Sequence, residues 1–132
     1  MSATSAISPS LLRTLKIKTN AVKRLVKERR VYLFEADKQR ERIETLRQKE
    51  GVEAADIRKQ NEVLVETLEM VPHMERRIRE AMQDLDNLVS SLPEDESELQ
   101  EVTDAKDAVK AAKLVLPEEK KKQGLVAMSG KA

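Results

Sequence analysis

Apolar residues recur along this chain at alternating steps of four and three, the spacing that lines up one face of a coiled-coil helix. From Leu11 the positions are Leu11, Leu15, Lys18, Val22, Leu25, Arg29, Tyr32, Ala36, Gln39, Ile43 and Leu46, and eight of the eleven are apolar or amphipathic. Ser8 ahead of Pro9 is a start signal, a serine cap followed by proline at the first helical position. Gly51 is a stop signal, because glycine tolerates the left-handed backbone that closes helices. The pattern predicts a first helix over about 9–50, a rod of roughly 60 Å.

The second segment is cleaner. Ile57, Asn61, Leu64, Leu68, Val71, Glu75, Ile78, Met82, Leu85, Val89 and Leu92 keep the same spacing, nine of eleven apolar. Pro72 interrupts it and removes the N–H owed to the Leu68 carbonyl. The register nevertheless runs through without a slip, which two helices joined by a loop would have no reason to maintain. The expectation is one helix over about 53–92, kinked at Pro72 with its outer surface convex there. A third stripe, Leu99, Val102, Ala105, Val109, Ala112 and Leu116, predicts a shorter helix over about 97–116. Ser97 and Gln100 stand at capping-box spacing before it, and its alanines allow close backbone approach.

The connections near 51–55 and 93–96 are short enough to require antiparallel neighbours. The expected fold is therefore all-α: an elongated, coiled-coil-like, antiparallel three-helix bundle running up-down-up. The third helix should cover only the end that holds the start of the first. Residues 1–8 are expected to form a flexible leader, 9–116 the bundle and 117–132 a flexible lysine-rich tail.

Composition narrows the class. Charged residues make up 37% of the 132 and aromatics 2%, which suits long helices and excludes a β-sandwich or an α/β enzyme. With no cysteine there is neither a disulfide framework nor thiolate chemistry. No apolar run approaches the ~20 residues that span a bilayer, and "MSATSAISPS" has no apolar signal core. The net charge of +1 conceals an asymmetry: residues 1–50 carry 13 basic against 6 acidic side chains, residues 51–92 carry 5 against 9, and residues 93–132 carry 7 against 9. Such a chain can attract itself within the fold, or steer an acidic partner from outside.

The basic charge concentrates in "KIKTNAVKRLVKERRVYLFEAD", residues 16–37, opposite the seam. Lys16, Lys23 and Arg30 recur at seven, with Arg24 and Lys27 beside them. Ile17, Val31 and Phe34 project from the same outer region. A merely solvated face needs no apolar residues between its charges, whereas protein interfaces mix arginine with apolar anchors. A basic zipper for DNA would place basic region and seam in succession on one helix; here they overlap. A membrane-surface helix needs its apolar face free, and the bundle uses it. A generic coiled-coil dimerisation scaffold remains the alternative to a partner-binding module. Lys18, Arg29 and Gln39 break the first seam, and either reach the bundle edge and fix register or face a partner.

Catalytic and metal chemistry find no support. The single histidine, His73, lies on an outward turn without neighbouring ligands or a nucleophile. "PEDESE" lacks the glycine turn and alternating ligands of a calcium loop, and is explained as acidic residues near a helix start. No glycine-rich phosphate loop is present. The reading is a non-enzyme without cofactor.

"LKIKTNAVKRLVKERRVY", followed by "IRKQNEVLVETLEMVPHMERRIREAMQDL" with its mid-helix proline, resembles the tubulin-binding cofactor A family. The order "KIKT…VKRLVKE" and then "RKQ…E…P…RR" carries the likeness, and "AKDAVKAAKLVL" follows it less strictly. The resemblance spans about residues 13–116; the serine-rich leader, Pro117 and the tail depart from the pattern. It implies a cytoplasmic, cytoskeleton-associated chaperone that captures β-tubulin before heterodimer assembly, with no nucleotide or metal. Other tubulin-folding cofactors become possible partners, and the state is monomer or homodimer. For β-tubulin the expected contacts are Lys16, Ile17, Lys23, Arg24, Lys27, Arg30, Val31 and Phe34, with Arg76, Arg77 and Arg79 after the Pro72 bend as a second surface.

Overall fold

A computed structural model describes residues 7–97 and 99–117. It contains three α-helices: α1 (Pro9–Gln48), α2 (Ala54–Ser90) and α3 (Gln100–Val115), with a single 3-10 turn, Glu94–Glu96, before α3. Among the described residues there is no strand. Most of the expected leader and the tail beyond Pro117 lie outside the described residues.

Local chemistry accounts for the helix ends. The Ser8 hydroxyl accepts the Leu11 N–H at 3.1 Å, and Pro9 occupies the first turn of α1, where a missing N–H costs nothing. Gly51, with φ of 81°, reverses the chain after α1 in a conformation that a side chain would disfavour. α2 continues through Pro72, whose ring is exposed. Only the Leu68 carbonyl loses its helical donor there.

The start of α3 differs from expectation. Its N-cap is Leu99, which offers no side-chain acceptor, and the expected capping box at Ser97 is not formed. Ser97 instead closes the 3-10 turn, donating its backbone N–H to the Glu94 carbonyl at 3.0 Å. Pro93 sets that turn one register earlier, so the α-helix begins at Gln100.

Leu15, Val22 and Leu25 of α1, Met74, Ile78 and Leu85 of α2, and Val102, Ala105, Ala108, Val109 and Ala112 of α3 form one core. Its small α3 residues let that backbone sit close against the larger side chains of α1 and α2. Ile7, placed by the sequence pattern in the leader, is 3% exposed and joins this core. It precedes the Ser8 cap, with Leu12 at the fourth helical position, the spacing of a hydrophobic staple. Ala36 and Ile43 are buried farther along α1, outside the three-helix core.

All three polar interruptions of the α1 seam reach α2. Lys18 pairs with Asp84. Arg29 Nε lies 2.9 Å from Glu75 Oε2, both side chains largely buried. Gln39, 3% exposed, donates from Nε2 to the Gln60 carbonyl and to Gln60 Oε1, each at 2.9 Å. The partners fall in number as α1 rises, so the two helices meet in opposite directions. No buried side-chain nitrogen or oxygen among the described residues lacks a partner.

Two consequences are measurable by urea unfolding. Ile78→Ala should destabilise the protein by roughly 2–5 kcal/mol, the usual range for emptying a fully buried aliphatic site. Glu75→Ala should cost more than Asp84→Ala, because it strands the Arg29 guanidinium in a largely buried position. A Glu75→Ala variant no weaker than Asp84→Ala would show that the Arg29 pair contributes nothing to the seam.

Candidate partner-binding surface

With the seam turned toward α2, the basic stretch of α1 must lie on its remaining circumference, and α3 divides that circumference into two. Lys16 reaches toward α3, its Nζ 3.9 Å from Glu101 Oε2. Lys16, Thr19, Asn20 and Lys23 share a shallow groove with Glu101 and Asp104. The opposite-side placement expected of Lys16 and Lys23 is therefore corrected: they stand on the flank beside α3. Seven residues separate Lys16 from Lys23 and Lys23 from Arg30, so Arg30 continues that same flank, exposed.

Ile17, Arg24 and Val31 follow a second line, one residue on and again seven apart, on the flank away from α3. Ile17 is 69% exposed and Val31 44%. Lys27 and Phe34 occupy the outermost line between the two flanks; Phe34 is 59% exposed, and Lys38 Nζ stands 4.9 Å from its ring centre. Arg24 Nε lies 3.8 Å from Glu28 Oε1, a solvent-exposed pair one turn apart, of the kind that contributes little to stability. The surface thus alternates cations with apolar side chains that none of the described helices covers.

The second expected group is also separated. Arg76 and Arg77 are exposed. Arg79 is half-buried and donates from Nη2 to the Pro117 carbonyl at 2.8 Å, so it holds the end of the α3 segment. His73 is exposed beside Pro72. No group of three or more His, Cys, Asp or Glu among the described residues could hold a metal ion. No helix there is long and apolar enough to cross a membrane.

Besides Ile7, the spacing rule missed Thr19, Met74 and Ala108 among the buried residues. Thr19 is a polar residue in a basic run, yet its hydroxyl donates to the Leu15 carbonyl at 2.7 Å and so needs no solvent. Met74 and Ala108 each sit immediately before a seam position. Three packed helices bury a wider stripe than two, and that widening is the signal that would have found them.

Comparison with known proteins places this arrangement. A family profile described as tubulin binding cofactor A matches residues 10–109. Human tubulin-specific chaperone A is 43% identical over 97 residues, covering 74% of this chain and 85% of the human protein. The crystal structure of tubulin folding cofactor A from Arabidopsis thaliana superposes with a TM-score of 0.70 at 30% identity, over 80% of this chain and 98% of that one. A solved structure named RBL2P, a β-tubulin binding post-chaperonin cofactor, superposes with a TM-score of 0.67 at 32% identity, over 78% of this chain and 97% of its own.

The exposed apolar residues should not matter to folding. Replacing Ile17, Val31 and Phe34 singly by serine should change unfolding free energy by no more than about 0.5 kcal/mol each. A loss of 2 kcal/mol or so at any of them, measured by urea unfolding, would mark that residue as core.

Proposed function

This chain belongs to the tubulin binding cofactor A family, and from that premise we propose that it captures and stabilises β-tubulin folding intermediates before heterodimer assembly. As a member of the family it is a tubulin chaperone. The observation that carries the finer reading is the outer surface of α1, where Lys27, Phe34, Ile17 and Val31 stand exposed in alternation of charge and apolar area. Cations steer an acidic partner and set the on-rate, while the apolar side chains supply the area that slows its release.

In this reading the scaffold is an up-down-up bundle, with α2 bent at Pro72 so that its outer surface is convex. The bundle works as a rigid holder and carries out no catalysis. Lys16, Lys23, Arg24, Lys27 and Arg30 supply the attraction, and Ile17, Val31 and Phe34 the apolar contact. Arg76 and Arg77 extend the cationic surface on α2. Arg79 acts through the Pro117 carbonyl it already holds, and so shapes that surface without being fully free to meet a partner. The setting is the cytoplasm beside the microtubule cytoskeleton, with other tubulin-folding cofactors taking over the captured subunit, from a monomer or a homodimer of this chain.

Reversing charge at Lys23, Lys27 and Arg30 together should leave helicity intact and weaken binding to isolated β-tubulin by about tenfold or more, which corresponds to roughly 1.4 kcal/mol. The loss should shrink as salt rises, because exposed charges are screened. Titration by fluorescence anisotropy at low and physiological salt measures both. A variant that binds as tightly as the parent under both conditions would remove α1 from the interface.

A further inference from the structure

α3 sorts its charge by side. Glu101 and Asp104 turn to α1, where they share a groove with Lys16 and Lys23. Lys106, Lys110 and Lys113 turn to α2, where they line a second groove with Asp86, Val89 and Val109. All three lysines are exposed, while Val109 between them is buried. Other cations of the bundle have carboxylate partners: Lys16 has Glu101, Lys18 has Asp84 and Arg29 has Glu75. Among the described residues none of the three α3 lysines forms an ion pair, and neither does Asp86. Lys110 stands four residues after Lys106 and three before Lys113, and like charges at those spacings destabilise a helix. Lys113 lies in the last turn, where a cation complements the helix dipole. That does not account for Lys106 and Lys110, which lie farther from the end.

We propose that this groove binds an extended acidic segment of a partner polypeptide, its carboxylates against Lys106, Lys110 and Lys113. The groove holds about 220 Å³, less than the ~300–1,000 Å³ of small-molecule sites, which suits one edge of a longer chain. Along α3 the lysines are four and three residues apart, about 6 and 4.5 Å. An extended chain presents every second side chain to one face, about 6.6 Å apart. Acidic residues at alternate positions therefore meet successive lysines, whose long flexible stems absorb the difference. Val89 and Val109 supply apolar contact within the groove. Leu114, one turn past Lys110 and 83% exposed, supplies it at the edge.

An anionic membrane fits these positions less well. A planar surface would meet the outermost line of α3, Thr103, Asp107, Lys110 and Leu114, all exposed, which has one acid for its one lysine. A segment lying in the groove reaches all three lysines at once. Asp86 is the one carboxylate among the lining residues, and it opposes an acidic ligand. Contacts between exposed charges are individually weak and are screened by salt, so the affinity should be modest and should fall as salt rises. The groove is separate from the exterior of α1, and the proposal does not rest on the β-tubulin reading.

The test uses the full chain without tubulin, and as probe a rhodamine-labelled peptide that alternates glutamate with serine. Fluorescence anisotropy at low salt should show binding, which Lys106→Glu, Lys110→Glu and Lys113→Glu together weaken by about tenfold or more. Asp86→Asn should tighten it by about twofold. On titration, amide signals of residues 86–89 and 106–113 should shift. Helical circular dichroism confirms that each variant folds. Absent binding, or binding that the three α3 reversals leave unchanged, overturns the proposal. So does an equal loss on Lys23→Glu, Lys27→Glu and Arg30→Glu, which would move the peptide to α1. Tighter association with phosphatidylserine vesicles than with the peptide would assign the lysines to a membrane and overturn it as well. No tubulin is present, so none of these failures touches the β-tubulin reading.

Discussion

The register between α1 and α2 is the constraint on which every other feature of the molecule depends. A seam made only of leucine, valine and isoleucine would bury as much area after sliding by one heptad, because apolar contact is non-directional. Lys18 with Asp84, Arg29 with Glu75 and Gln39 with Gln60 remove that freedom. A slide of seven residues would bury Gln39 and Arg29 against partners that cannot satisfy them, and unsatisfied buried groups cost more than the pairs gain. The polar interruptions are thus a specificity device distributed along the whole rod.

Once the register is set, the faces are set. The seam occupies one side of α1, and α3 lies on one flank at the end nearer Leu15. The acidic start of α3 meets the flank that carries Lys16 and Lys23. The other flank and the outermost line keep Ile17, Val31, Phe34 and Lys27 exposed. The charge of the basic first third of the chain is therefore divided: part of it meets the acidic start of α3, and part faces outward. Past the reach of α3, Arg76, Pro72, Glu69, Val65 and Glu62 of α2 are exposed among the described residues.

Much of this was legible in the sequence because helical periodicity reports directly on which residues are buried. The seam positions from Leu15 to Ile43 and the run of register through Pro72 needed only counting. The roles of Lys18, Arg29 and Gln39 could be narrowed but not decided, since spacing reveals a break and not its partner; Asp84, Glu75 and Gln60 lie 66, 46 and 21 residues away. The division of the basic patch was hidden for a related reason: a helical wheel has no third dimension, and only the position of α3 distinguishes Lys23 from Arg24. Ser97 failed as a cap because Pro93 organises a turn just upstream, a local competition that a four-residue motif does not record.

The central claim is that the seam stays closed while the exterior of α1 meets β-tubulin. Hydrogen exchange of backbone amides in the free chain and in its β-tubulin complex tests it most directly. The account predicts added protection along residues 17–34 of α1, with the amides facing Glu75, Ile78 and Leu85 exchanging at unchanged or slower rates. Faster exchange along α1 and α2 together on binding would mean that the helices part and offer their seam to tubulin, and would contradict it.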